Sequence, residues 1–77
     1  MEAFLVELWA DVLGLPTVGV QARFLDLGGD SVLAATLVAR IRHTLDVSYS
    51  LLALFETPTI AEQAAAIETL ILAEPIP

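Results

Sequence analysis

Cysteine and lysine are both missing from the 77 residues, and each absence removes a class of chemistry. Without cysteine there is no disulfide, no thiolate zinc site and no cysteine nucleophile. The redox compartment stays open, although an intracellular protein fits. Without lysine there is no Walker A phosphate loop, and Gly28-Gly29 does not make up G-x-G-x-x-G either. Basic residues are scarce altogether: three arginines stand against ten acidic residues, for a formal net charge of −7. Such a surface repels nucleic acid phosphates and anionic lipid headgroups, so neither nucleic acid nor membrane is an expected partner. Proteins with basic patches around their docking sites are.

Long apolar runs are missing too. The mean hydropathy is +0.80, yet no stretch stays apolar for the 18 or more residues that a membrane span needs. Much of the value comes from twelve alanines and fourteen leucines spread through helical patterns. The opening Met1-Glu2 lacks the basic n-region of a signal peptide. The expectation is one small, soluble, cytoplasmic domain, monomeric, which with 57% apolar residues folds without a metal or a crosslink.

What is present reads as helix. Leu5, Leu8, Trp9 and Val12 recur at spacings of three and four, predicting a helix over 2–13 that Gly14 closes and Pro16 prevents from continuing. Trp9 is expected in the core. From Gly14 to Asp30 there is no sustained periodicity over seventeen residues, a long connection for so small a domain. Val20, Phe24, Leu25 and Leu27 are expected to pin it to the core, with Arg23 solvated. A brief strand at Thr17–Val20 would have no partner and is rejected. Leu33, Leu37, Ile41 and Leu45, with Ala34 and Val38 beside them, predict the strongest helix, 31–45. Asp30 or Ser31 can cap it, and neither completes a capping box.

Leu51, Leu52, Leu54 and Phe55 predict a short helix over 50–56 that only packing can maintain. Thr59 and Glu62 form a capping box for a last helix over 60–72, with Ile60, Ala64, Ile67 and Ile71 inward. Pro75 and Pro77 close the chain or begin a linker. The fold class is therefore all-α, a small bundle of three longer helices and one short one.

Within this frame one stretch carries local specificity: "FLDLGGDSVLAATL", Phe24 to Leu37. Ser31 needs a general base to act as a nucleophile. The lone His43 lies twelve positions on, roughly 18 Å along a shared helix at about 1.5 Å per residue, against a hydrogen-bond reach of about 3 Å. Gly29 and Ser31 are followed by Leu33 where a nucleophile elbow has its second glycine. Asp26, Asp30 and Asp46 do not follow an EF-hand spacing. No catalytic residue and no metal site is expected, so the chain is not an enzyme. What remains is a serine that another protein modifies. Gly28 and Gly29 permit a tight turn and close approach of a partner. A helix N-terminus favours an attached phosphate, while Asp30 opposes it by comparable repulsion. Geometry thus permits a phosphoserine or a phosphodiester without demanding either, and a Gly-Gly turn with an ordinary serine cap accounts for the same residues.

The chain resembles the peptidyl carrier protein, or thiolation domain, of non-ribosomal peptide synthetases, within the wider acyl carrier family. The resemblance rests on "FLDLGGDSVLA", Phe24 to Ala34, which matches the phosphopantetheine attachment signature. It is extended by "LVARI", Leu37 to Ile41, by "LFETPTIAEQA", Leu54 to Ala64, and by "LWADVLG", Leu8 to Gly14. It covers nearly the whole chain, making residues 1–77 a single carrier domain.

The resemblance implies that Ser31 binds the cofactor, 4′-phosphopantetheine, transferred from coenzyme A by a magnesium-dependent phosphopantetheinyl transferase. The arm's thiol, the sole thiol present, would hold an aminoacyl or peptidyl group. The implied partners are that transferase and adenylation, condensation and epimerisation or other tailoring domains, in antibiotic biosynthesis. Leu27, Gly29, Asp30, Val32, Ala35 and Phe55 are the implied partner contacts. From position alone, Val32 is either exposed or at the rim of the core, Phe55 is weighted toward the core, and Leu33 is buried. Three features depart from common forms. Asp30 stands where many peptidyl carriers have histidine, a form similar to carriers that precede epimerisation domains. Thr36 stands where a basic residue is common, and Arg40 one turn on could supply part of that charge. Leu27-Gly28-Gly29 differs from the single glycine of the typical fatty acid carrier. A polyketide-type or other acyl carrier is the alternative, and a helical docking module without cofactor is a third reading.

Overall fold

The computed structural model describes residues 1–73, and among these the chain is four α-helices and one 3-10 turn, with no strand. The EPIP stretch, residues 74–77, lies outside the described residues. Helix α1 runs Glu2–Leu13, the 3-10 turn Leu25–Leu27, α2 Ser31–Leu45, α3 Leu51–Glu56 and α4 Ile60–Ala73. The expected all-α bundle is thus the observed one. Among the described residues no helix is long and apolar enough to cross a membrane.

Helix boundaries follow from local chemistry. Gly14 ends α1 at φ 70°, a left-handed conformation that glycine adopts freely, and the Ala10 carbonyl accepts both the Gly14 and Leu15 amides. Asp46 ends α2 in the same region at φ 53°, as the one non-glycine residue with positive φ among those described. Ser50 is the cap of α3 and accepts from the Ala53 amide at 3.0 Å, which is why that helix starts at Leu51. At α4 the Thr59 hydroxyl accepts the Glu62 amide at 3.2 Å and donates to Glu62 Oε1 at 2.9 Å. The expected reciprocal pairing is present, made to the hydroxyl.

The core is the meeting of α1 with α2 and α4, while α3 packs on α2. Leu5, Leu8 and Trp9 meet Ala34, Leu37, Val38 and Ile41, and Ile60, Ala64 and Ile67 close the third side. Trp9 is fully buried, as expected, with its ring edge-to-face on Phe24 at 5.1 Å and 86°. Such a pair adds about 0.5–1.5 kcal/mol beyond area burial. The indole N–H donates to Gln63 Oε1 at 3.0 Å, a buried bond that hydrophobic periodicity does not reveal. Gln63 Nε2 is buried with no partner among the described residues.

Four expectations need correcting. Leu25 does not pin the long loop: it is 58% exposed, and Val18 with Phe24 fills that role while Val20 and Leu27 are half-buried. Phe55 is 43% exposed, because α3 covers α2 with a single buried residue, Leu54. Leu33 is half-buried at the open end of α2. Ile71 is exposed, because the last turn of α4 extends past what α1 covers. Val47 and Tyr49 are buried in a stretch with no periodicity. The Tyr49 hydroxyl meets Thr57 Oγ1 at 2.7 Å, and Thr57 in turn donates to the Ala53 carbonyl at 2.6 Å, so Tyr49 donates. This tethers the C-terminal end of α3.

Candidate functional site

Ser31 stands at the first residue of α2, exposed, and no hydrogen bond engages its hydroxyl among the described residues. Its placement begins at Asp30, which takes an extended conformation as the cap. Asp30 Oδ1 accepts the Leu33 amide at 2.9 Å and its carbonyl accepts the Ala34 amide at 2.8 Å. Of the two capping candidates, Asp30 is therefore the cap, which leaves the serine hydroxyl free. The Asp30 carboxylate also offsets the dipole of α2.

The loop that leads to Asp30 is held by backbone bonds. Phe24 N–H donates to the Pro58 carbonyl at 3.0 Å, and Ala61 N–H to the Val20 carbonyl at 3.0 Å, with an isolated bridge between Arg23 and Thr59. Phe24 then turns through the 3-10 segment Leu25–Leu27, with Gly28 at φ 92° closing it. Its carbonyl accepts both the Leu27 and Gly29 amides at 3.2 Å. Spacing explains the side chains. Phe24 and Leu27 lie three apart and turn inward, and Leu25 between them turns out.

The nominated contacts divide by element. Asp30, Val32 and Ala35 are exposed on the first turns of α2, Val32 at 73%, and Ala35 shares a face with Ser31 four residues earlier. Leu27 is half-buried, and so is Gly29. Phe55 lies on α3 beside a cavity of about 180 Å³ lined with Arg23, Phe24, Leu25, Asp26, Leu54 and Pro58. Phe24 links the two parts, bonded to Gly29 on one side and to Pro58 on the other. Sequence reasoning missed Leu25, Leu51 and Leu52 as exposed apolar residues. A three-residue 3-10 turn and a helix of under two turns carry no periodic signal that would have found them. Arg40 does not add charge near Ser31, because its guanidinium pairs with Asp11 of α1.

The chemistry such a site allows is narrow. His43 sits on α2 itself, exposed, with Ser31 at that helix's opposite end. Among the described residues no group activates the hydroxyl, so a reaction at Ser31 needs a base from elsewhere. A phosphodiester fits: the oxygen is open to solvent and the first amides of α2 are nearby.

Comparison with known proteins agrees. The family model described as the phosphopantetheine attachment site matches residues 3–67. The chain is 49% identical over 67 residues to a dimodular nonribosomal peptide synthase of Bacillus subtilis (strain 168), covering 87% of this chain and 3% of that protein. It spans only a few per cent of the length of the curated relatives it matches. Among solved structures, BlmI, a type-II acyl-carrier-protein from Streptomyces verticillus involved in bleomycin biosynthesis, superposes with a TM-score of 0.87 at 30% identity. That match covers 91% of this chain and 84% of BlmI. A chain from the complex of the phosphopantetheine transferase Sfp with coenzyme A and a peptidyl carrier protein gives a TM-score of 0.85 at 32% identity, covering 88% of each.

Proposed function

The chain belongs to the phosphopantetheine-attachment family of carrier domains, and on that premise we propose that Ser31 is the residue that bears the 4′-phosphopantetheine arm. The domain is a phosphopantetheine-dependent carrier and not itself an enzyme. The observation that carries the assignment to Ser31 is its exposed, unengaged hydroxyl directly after the Asp30 cap, inside the matched span. In the modification, Ser31 Oγ forms a bond to the phosphorus of the pantetheine phosphate of coenzyme A. The phosphoanhydride bond breaks, 3′,5′-ADP leaves, and the hydroxyl proton passes to a base of the transferase. The attached arm supplies a terminal thiol that holds an aminoacyl or peptidyl group as a thioester. With no cysteine in the chain, no internal thiol competes for that group.

Residues 1–77 act as a single, monomeric, cytoplasmic carrier domain of a non-ribosomal peptide synthetase. Its partners are the transferase, adenylation and condensation domains, and an epimerisation domain in view of Asp30. Leu27, Asp30, Val32, Ala35 and Phe55 lie at or beside the docking face, reached by partners whose basic rims complement the net charge of −7. The likeness to a type-II acyl-carrier-protein supports a second reading, a carrier of a different acyl chain. Loading by an adenylation domain rather than by an acyltransferase separates the two.

The test is intact-mass spectrometry after incubation with coenzyme A and a broad-specificity phosphopantetheinyl transferase. One added phosphopantetheine is expected, and none on Ser31→Ala, whose far-UV circular dichroism stays that of the parent. A parent chain that takes no addition, or a Ser31→Ala chain that still does, overturns the assignment.

A further inference from the structure

Gly28 and Gly29 are adjacent, yet the structure needs their missing side chains for different reasons. At Gly28 the requirement is conformational: φ is 92°, and a Cβ there would meet nothing within 4 Å. At Gly29 no positive φ applies. A Cβ there would instead fall inside contact distance of both Cδ2 and Cε2 of the Phe24 ring and lie 2.7 Å from the Phe24 carbonyl oxygen. Carbon atoms pack best at about 3.5–4.0 Å, so these approaches are deep inside contact.

The Phe24 ring is held by its packing, and the 2.7 Å approach to the Phe24 carbonyl would remain even if the ring turned. Phe24 is 1% exposed, and its neighbour Trp9, at 5.1 Å and nearly perpendicular, is itself fixed by the bond from its indole to Gln63. The backbone of Phe24 is equally committed, its amide to Pro58 and its carbonyl to Leu27 and Gly29. On the other side of Gly29 the chain runs straight into the α2 cap, where Asp30 holds the Leu33 and Ala34 amides, and Ser31 follows. One continuous path of packed and hydrogen-bonded groups thus leads from Gln63 on α4, through Trp9 on α1, to the residue two places before the serine.

We propose that Phe24 is a positioning residue for Ser31. Its ring, wedged between Trp9 and the bare Cα of Gly29, sets where the α2 cap and the serine hydroxyl stand relative to the bundle. This rests on the reading of Ser31 as the attachment residue. It also gives Gly29 a different part from a partner contact: the space left by its missing side chain is filled from inside the molecule by Phe24. A side chain at 29 would press on the Asp30–Ser31 segment, which is exposed at the start of α2 and has no side chain packed over it to resist an outward shift. In-line attack on phosphorus within a transferase complex is sensitive to such a shift, since a misplacement near 1 Å can cost on the order of a hundredfold in rate.

The experiment measures the rate of pantetheinylation of the full chain by mass spectrometry, with parent, Gly29→Ala, Phe24→Leu and the double variant. The parent is read first. If it takes no phosphopantetheine, the assignment of Ser31 fails, and that failure is visible before any variant is compared. With the parent active, Gly29→Ala is expected to lower kcat/KM for the carrier roughly tenfold or more, with KM for coenzyme A unchanged. The double variant is expected to recover part of the loss, because leucine at 24 vacates the ring's share of the space that the new methyl needs while the approach to the residue-24 carbonyl remains. The Ser31 and Leu33 amide resonances should shift in Gly29→Ala and return toward the parent in the double variant. A folded Gly29→Ala modified at the parent rate overturns the proposal, and so does a double variant no faster than Gly29→Ala. Should Gly29→Ala fail to fold, Phe24→Leu alone decides. It loosens the wedge, and a several-fold fall in kcat/KM with helicity retained is expected. An unchanged kcat/KM overturns the proposal.

Discussion

In the interior with Trp9 the side chains of Leu5, Leu37, Ile41 and Ile67 are closed off from solvent, whereas on the elements that precede and pack on α2, and at its start, the equally apolar Leu25, Val32 and Leu52 stand open to it. The first group lies where three long helices cover one another. The second lies on a 3-10 turn, the first turn of α2 and the six-residue α3, which buries one residue. Residue type is the same in both regions, and the number of neighbouring elements is what differs. The interior makes the fold stable. The serine end leaves apolar surface exposed, and such surface would contribute roughly 25 cal/mol per Å² if a partner removed it from water.

The most severe way to probe that division is Leu37→Ala. Leu37 is fully buried, and its truncation should cost about 2–5 kcal/mol. That is a large share of the 5–15 kcal/mol that is typical of a whole domain, roughly speaking. Urea unfolding should show the midpoint fall accordingly, while the chain, at temperatures where it stays folded, still accepts one phosphopantetheine. A variant of parental stability that could no longer be modified would break the separation of interior from serine end.

The same contrast explains what could be read from the sequence. Leu5, Leu8, Leu37, Ile41, Ile60 and Ile67 repeat at helical spacing because each faces another long helix, and periodicity reports that geometry directly. The capping signals at Asp30 or Ser31 and at Thr59 are equally local, whereas the Ser50 cap of α3 was not read from the sequence. Ile71 continues the stripe of α4 and is nevertheless exposed, since a repeat records which face a residue occupies and not how far the neighbouring helix extends. Leu25 and Phe55 fail for a related reason: their elements are shorter than one hydrophobic period needs to declare itself. At the candidate site, the sequence placed Asp30 and Ser31 at a helix start, leaving open which of them caps it, and left Val32 between exposure and the rim of the core. The wedge of Phe24 against Gly29 was not legible, because it joins residues through space in a segment without regular structure.

A smaller effect is expected at Tyr49, which joins the two regions by tethering α3. Burial pushes its phenol up from the usual 10.0 to about 12, with the Glu62 charge adding to the rise. Above pH 10.0 the unfolded chain releases this proton while the folded chain retains it. The unfolded state then binds fewer protons, so stability falls as pH rises. The contribution is whole below pH 10.0, declines toward about 12 and is gone beyond it. Tyr49→Phe should lose about 1 kcal/mol at neutral pH with the hydrogen bond. Urea midpoints followed from neutral pH into strong alkali should then show a shallower alkaline decline than the parent's. An identical alkaline slope would mean that another group controls it.

The smallest change in stability is expected where the surface is most open. Val32 is 73% exposed on the first turn of α2, one residue after the serine, and surface substitutions of this kind stay within about 0.5 kcal/mol. Val32→Ser should therefore leave the urea midpoint where it was. The modification reaction should respond differently. In the free carrier the valine side chain is already in water, so its loss alters nothing; in the complex it would be covered, and its removal forfeits part of that gain. The expected result is a higher KM for the carrier with kcat little changed, because the serine and its cap are untouched. A lowered midpoint would place Val32 with the interior after all, and an unchanged KM would remove it from the docking face. Either result would shift the line between the two regions by one residue on α2, while the parental midpoint with a raised KM would draw it between Val32 and half-buried Leu33.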